Sequence, residues 1–124
     1  MTQDAIETWL HETDAQRALV SEYSDSPLPT DLGERHLDFD KAVQMEADAD
    51  DLLSQAEELL IKTEAKAIFT VRQENSGIKL SPDERRILIK ASVSGIKRIA
   101  DSLRATKRKI GHRIYIGLNA NRSR

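Results

Sequence analysis

The chain has 124 residues, of which 39% are hydrophobic and 32% are charged, and it contains no cysteine. This length allows a single modest core, and the lack of cysteine excludes a disulfide scaffold and a thiolate metal site. Because glycine and proline are scarce, at five and three residues, the composition favours long amphipathic helices over a β-sandwich or barrel. We therefore expect an all-α protein.

The start of the chain and its hydropathy predict a cytoplasmic protein. Residues 1–4 have neither the positive segment nor the apolar segment of a signal peptide. No apolar run approaches the roughly 20 residues that span a bilayer. We therefore expect a cytoplasmic location and no membrane partner.

The formal net charge of −2 hides an asymmetry along the chain. Residues 1–77 hold 18 acidic and 6 basic residues, whereas residues 78–124 hold 3 acidic and 13 basic residues. Such asymmetry is typical of nucleic-acid or membrane contact, or of charge-matched self-association. Two plainer interpretations stay open: the halves face each other across one hairpin, or across an oligomer interface.

The first predicted element is a helix over residues 3–23, within an N-terminal segment of residues 1–23. Its apolar stripe has a polar middle, so the helix is expected to dock at both ends or to serve as an arm that binds a partner. The stripe consists of Ile6, Trp9, Leu10, Leu19, Val20 and Tyr23.

Residues 24–37 are predicted to form a linker. Pro27 and Pro29 lie one residue apart and cannot both sit inside a helix. The next helix can begin at Asp31, which has the capping-box spacing to Glu34, or at Asp38.

Residues 38–124 are predicted to form a long antiparallel helical hairpin. Its first helix extends to about Asn75, where Asn75-Ser76-Gly77 provides a helix end and a turn. Apolar residues recur along this helix every three or four positions, as in coiled coils. They are Val43, Met45, Ala49, Leu52, Leu53, Ala56, Leu59, Leu60, Ala67, Ile68 and Val71.

The third helix has the sharpest local signal, because Ser81, Pro82 and Glu84 form an N-cap, an N1 proline and a capping box. We expect it to run to about Ile110 or further, with Gly111 as an end or a kink. Its apolar stripe is Leu88, Ile89, Val93, Ile96, Ile99, Ala100, Leu103 and Ile110. Because the turn before it is short, helices two and three are expected to be antiparallel neighbours.

The sequence shows no catalytic, metal or cofactor motif. The three histidines lie far apart, the acidic stretches lack the glycine and glutamate of a calcium loop, and no phosphate-binding loop is present. We therefore expect a non-enzymatic protein without a metal or cofactor.

A row of cations on helix three is the best candidate for a functional site. Basic residues recur there at intervals of about seven, which matches binding to a phosphate backbone without sequence preference. The alternative is that they pair with the acidic face of helix two. The predicted nucleic-acid-binding residues are Lys90, Lys97, Arg98, Arg104, Lys107, Arg108, Lys109 and Arg113.

The C-terminal half resembles a known family through three segments: Leu80-Ser81-Pro82-Asp83-Glu84, Ile99-Ala100-Asp101-Ser102-Leu103, and Lys107-Arg108-Lys109-Ile110-Gly111-His112-Arg113-Ile114. In its layout the stretch from Lys66 to Ala120 is similar to the UvsY-type recombination mediator proteins of T-even-like phages. The resemblance implies a small helical oligomer that binds single-stranded DNA and helps to load a recombinase. It also implies that the basic cluster is the DNA surface and the hairpin the assembly surface.

Two functions are therefore expected as alternatives. The first is an oligomeric helical protein that binds single-stranded DNA without sequence preference, as a phage recombination mediator. The second is a helical protein–protein interaction module, such as an adaptor, an assembly component or an inhibitor, with an acidic N-terminal half that contacts a partner through residues 1–60. Both include a homo-oligomeric helical bundle, because helix two has apolar residues beyond one seam.

Overall fold

The computed structural model describes residues 2–74 and 80–122, with the side chains of residues 5–31, 33–72 and 80–119. These described residues form three helices: α1 over Thr2–Asp25, α2 over Leu32–Glu74 and α3 over Pro82–Arg122. The prediction of an all-α chain, with a helical hairpin preceded by an N-terminal helix, is confirmed. The turn predicted at Asn75-Ser76-Gly77 lies outside the described residues.

Both predicted capping boxes mark the start of a helix. At α3, the Ser81 Oγ accepts a hydrogen bond from the Glu84 amide at 3.1 Å, and Glu84 Oε1 accepts one from the Ser81 amide at 3.4 Å. At α2, Asp31 Oδ2 accepts one from the Glu34 amide at 3.3 Å. Helix α2 therefore begins at Leu32, and the prediction of a linker through residue 37 is wrong for residues 32–37.

Helix α3 continues through Gly111 to Arg122, so it runs further than Ile110, and of the two predicted alternatives at Gly111, an end or a kink, the end is excluded. A glycine costs only about 1 kcal/mol in a helix, which tertiary packing easily offsets. The glycines of this segment instead allow close packing. A Cβ on Gly111 would lie 3.2 Å from Glu46 Oε2, and one on Gly117 would lie 2.8 Å from the Phe39 ring.

Contacts divide the chain into two compact units, each with its own core. The first unit comprises the described residues of Met1–Glu12 and Ser54–Asp101. In it, the Trp9 indole donates a hydrogen bond of 2.7 Å to Gln55 Oε1, which joins α1 to α2. Its buried residues are Ile6, Trp9, Ala56, Thr63, Ala67, Val93, Ile96 and Ala100.

The second unit comprises the described residues of Thr13–Leu53 and Ser102–Arg124. Gln16 contacts Asp48 and Tyr23 contacts Asp38, so α1 and α2 are antiparallel here. Asp50 contacts Lys107 and Asp38 contacts Arg113, so α2 and α3 are antiparallel too. Its buried residues are Val20, Tyr23, Ala42, Ala49, Leu52, Leu53, Leu103, Thr106, Ile110 and Arg113.

The predicted apolar stripes are wrong at three positions. Leu19, Val43 and Leu88 are between 43% and 50% exposed. At Leu19 the reason is geometric: successive helical residues are about 100° apart, and the neighbouring Val20 takes the inward position.

Several large apolar side chains of the first unit are also exposed, namely Ile61, Phe69 and Ile87 besides Leu88. No helix in the described part of the chain has both the length and the apolar character needed to cross a membrane.

Candidate nucleic-acid interface

In the first unit, three of the predicted cations lie along one groove on α3. Lys90, Lys97 and Arg98 line a depression of about 420 Å³, together with Val93, Ser94 and Asp101. The residues recur at intervals of three and four, so they share one face of the helix. Val93 is buried and the cations are exposed, so the groove has an apolar floor and a basic rim.

The charges of this groove are only partly neutralised. The Lys97 Nζ lies 3.6 Å from Asp101 Oδ2, in an exposed pair one helical turn apart. Such pairs contribute well under 1 kcal/mol and are readily exchanged for another anion. Lys90 and Arg98 form no ion pair with any residue that the structure describes. The groove is therefore a positively charged surface open to an anionic ligand.

In the second unit, two predicted cations pair with acidic residues of neighbouring helices. The Lys107 Nζ lies 2.6 Å from Asp50 Oδ1 on α2, and the Lys109 Nζ lies 2.9 Å from Asp25 Oδ1 on α1. The pair of Lys107 and Asp50 agrees with the alternative left open by the sequence, in which cations of helix three pair with the acidic face of helix two. Both pairs are solvent-exposed.

Arg113 lies in the core of the second unit and is only 6% exposed. Its Nη2 donates to Asp38 Oδ1 at 2.6 Å, and its Nη1 donates to the Tyr23 and Ser26 carbonyls at 2.9 and 2.7 Å. The guanidinium also lies 4.2 Å from the centre of the Tyr23 ring. Arg113 therefore joins all three helices and does not present its charge at the surface.

Tyr23 completes this buried network. Its hydroxyl donates to Asp38 Oδ1 at 2.7 Å, and burial together with this hydrogen bond raises the pKa of Tyr23 well above its ordinary value. Asp38 thus accepts hydrogen bonds from both Tyr23 and Arg113, as a buried carboxylate requires.

The two remaining predicted cations, Arg104 and Arg108, are exposed in the second unit. Arg108 lines a depression of about 560 Å³ with Lys109, His112 and the serines Ser24 and Ser26. The predicted residues therefore fall into three settings: an open groove in the first unit, exposed cations in the second, and one arginine in a core.

The hydrogen-bond network of Arg113, Tyr23, Asp38 and Ser26 was not predicted from the sequence. A signal for Arg113 exists, because Leu103, Thr106, Ile110 and Arg113 follow the 3–4–3 spacing of an inward-facing stripe. Because Arg113 is charged, it was predicted to lie on the basic surface instead. No pattern in the sequence indicates the partners on the other helices.

Among the described residues, no group of histidine, aspartate and glutamate side chains could hold a metal ion. No protein-family model matches the chain, and no curated protein or solved structure matches it significantly.

Proposed function

We propose that the protein binds single-stranded nucleic acid without sequence preference, through the α3 groove lined by Lys90, Lys97 and Arg98. The proposal rests on one observation. Lys90 and Arg98 line the same groove, and neither has a carboxylate partner among the described residues. Lys90 and Lys97 are seven residues apart, or about 10 Å along the helix, a spacing that a flexible phosphate backbone can follow.

The composition of the groove favours contacts with phosphates over contacts with bases. Its polar lining consists of Lys90, Lys97, Arg98, Ser94 and Asp101, and no aromatic side chain is present for base stacking. Binding of this kind is governed by counterion release, so it weakens steeply with salt. The resemblance to recombination mediators is consistent with this activity, and loading of a recombinase onto the bound strand is part of the proposal.

The test is the fluorescence anisotropy of a labelled oligothymidine across a salt series. With three phosphate contacts, the affinity is expected to fall roughly 20-fold between 50 and 200 mM salt. The double variant Lys90→Glu/Arg98→Glu is expected to lose at least tenfold in affinity at low salt and to show a shallower salt dependence.

A matched control separates the groove from general charge. Lys66→Glu/Arg72→Glu makes the same change in net charge at exposed positions of α2 in the same unit, away from the groove lining. This variant is expected to retain most of the affinity. Equal losses in both double variants, or no binding by the unmodified protein at low salt, would rule out the groove as the binding surface.

A second function, protein–protein interaction through self-association, is favoured by large apolar side chains that are exposed on the helices. Ile61, Phe69 and Ile87 of the first unit are each more than half exposed, as are Leu37 and Tyr115 of the second. Water-exposed side chains of this size are often covered by a partner in oligomeric helical proteins. The proposed partner is a second copy of the chain, as the sequence predicts.

Sedimentation velocity at micromolar concentrations tests this second function. Phe69→Ser/Ile87→Ser is expected to shift the protein towards the monomer, whereas Leu19→Ser/Val43→Ser, at exposed apolar positions of the second unit, is expected to leave its mass unchanged. A monomer across the whole concentration range would exclude self-association.

A further inference from the structure

We propose that a small cavity in the second unit binds a small monocarboxylate, such as acetate or propionate. The cavity has a volume of about 80 Å³ and is lined by the apolar side chains of Leu28, Phe39 and Ile116 and by Arg35, Asp38 and Arg113. None of these residues lines the α3 groove of the first unit, so this site is independent of nucleic-acid binding.

The hydrogen bonds of Arg113 leave two N–H groups without an acceptor among the described residues, the Nε–H and one of the two on Nη2. Its Nη1 has three acceptors, the Tyr23 carbonyl and the Ser26 carbonyl and hydroxyl, and its Nη2 has Asp38. The Nε is buried and has no acceptor among the described residues. Nε and Nη2 form one edge of the guanidinium, which is the edge that carboxylates commonly bind.

The charges and the size of the cavity indicate the class of ligand. Arg35 and Arg113 bring two positive charges and Asp38 one negative charge, so a single negative charge would balance the site. The Arg35 Nε donates to the Pro29 carbonyl at 2.9 Å, which fixes this exposed side chain beside the cavity. The volume equals that of about three liquid water molecules, so only a few heavy atoms fit. The apolar lining favours a carboxylate with a short hydrocarbon stem.

Nuclear magnetic resonance of the full ¹⁵N-labelled chain provides a direct readout, because the Nε–H of a buried arginine gives its own signal. Sodium acetate and sodium propionate are titrated against sodium chloride at equal ionic strength. We expect the Arg113 Nε–H signal to shift in a saturable manner with the carboxylates and not with chloride, and the melting temperature to rise in parallel. A signal that fails to shift with either carboxylate, or that shifts equally with chloride, would overturn the proposal.

Three variants locate the binding. Leu28→Phe fills the cavity from a partly exposed loop position and is expected to abolish the shift, with both arginines retained. Arg35→Gln is expected to weaken carboxylate binding roughly tenfold, because one charged donor is lost. The matched control Arg108→Gln changes an exposed arginine of the same unit that does not line the cavity, and it is expected to bind as the unmodified protein does. Unchanged binding by Leu28→Phe would place the ligand elsewhere and overturn the assignment.

Discussion

The same helix, α3, uses its cations differently in the two units. In the second unit, Lys107, Lys109 and Arg113 pair with Asp50, Asp25 and Asp38 of the other helices. In the first unit, Lys90 and Arg98 pair with no carboxylate that the structure describes. Helix α3 thus has a cation, Arg113, that anchors the core of the second unit, whereas Lys90 and Arg98 leave positive charge available for a ligand in the groove of the first.

The role of a basic residue therefore depends on the helix that faces it. An arginine at an inward position with a largely buried aspartate opposite becomes part of the core, as Arg113 does with Asp38. A lysine at an outward position keeps its hydration, and an ion pair there contributes little. The sequence of α3 alone does not distinguish these settings, because the deciding carboxylates belong to α1 and α2.

The largest expected effect comes from breaking the buried pair. Arg113→Met leaves Asp38 buried without its main partner and removes the donors to Tyr23 and Ser26, so the free energy of unfolding is expected to fall by about 3–5 kcal/mol. Lys109→Met, which breaks an exposed pair of the same unit, is expected to cost less than about 1 kcal/mol. Urea unfolding measures both. Similar losses in the two variants would contradict the contrast between buried and exposed cations.

The next largest effect concerns the docking of α1 in the first unit. Trp9 is buried and its indole bonds to Gln55, so Trp9→Ala is expected to lower the free energy of unfolding by about 3 kcal/mol. Trp9→Phe keeps most of the buried area and loses the hydrogen bond, at a cost of about 1 kcal/mol. Thermal unfolding by circular dichroism measures the two losses. An alanine variant as stable as the unmodified protein would mean that α1 acts as an undocked arm.

The smallest effect concerns alkaline pH and the buried tyrosine of the second unit. Because the pKa of Tyr23 is raised in the folded protein, the folded state keeps this proton above pH 10, where the unfolded chain releases it. The stability provided by the neutral Tyr23 is therefore complete below pH 10 and is lost as the pH rises further, by at most about 1.4 kcal/mol per pH unit.

Tyr23→Phe tests this pH dependence. The variant is expected to be about 1 kcal/mol less stable at neutral pH, because the hydrogen bond to Asp38 is lost. It is also expected to lose less stability than the unmodified protein between pH 10 and 11.5. Other titrating groups are common to both proteins and cancel in the difference. Parallel stability curves above pH 10 would argue against a raised pKa at Tyr23.

The helices and most of their ends were predictable from the sequence. The capping residues Asp31 and Ser81 mark helix starts through local hydrogen bonds, and such bonds are visible in a few consecutive residues. The apolar periodicity predicted most of the core, including Trp9, Ala56, Ile96 and Ile110. These features were predictable because they depend on neighbours within one or two helical turns.

Which charges are buried, paired or open depends on the three-dimensional packing of the helices. The continuation of α3 beyond Gly111, the buried position of Arg113 and the exposure of Leu88 all depend on residues that are distant in the chain. Asp38 and Arg113 are 75 positions apart, and no local pattern links them. Electrostatic and packing energies depend on distance and burial in three dimensions, so the division of α3 into a buried anchor and a basic groove follows from the fold.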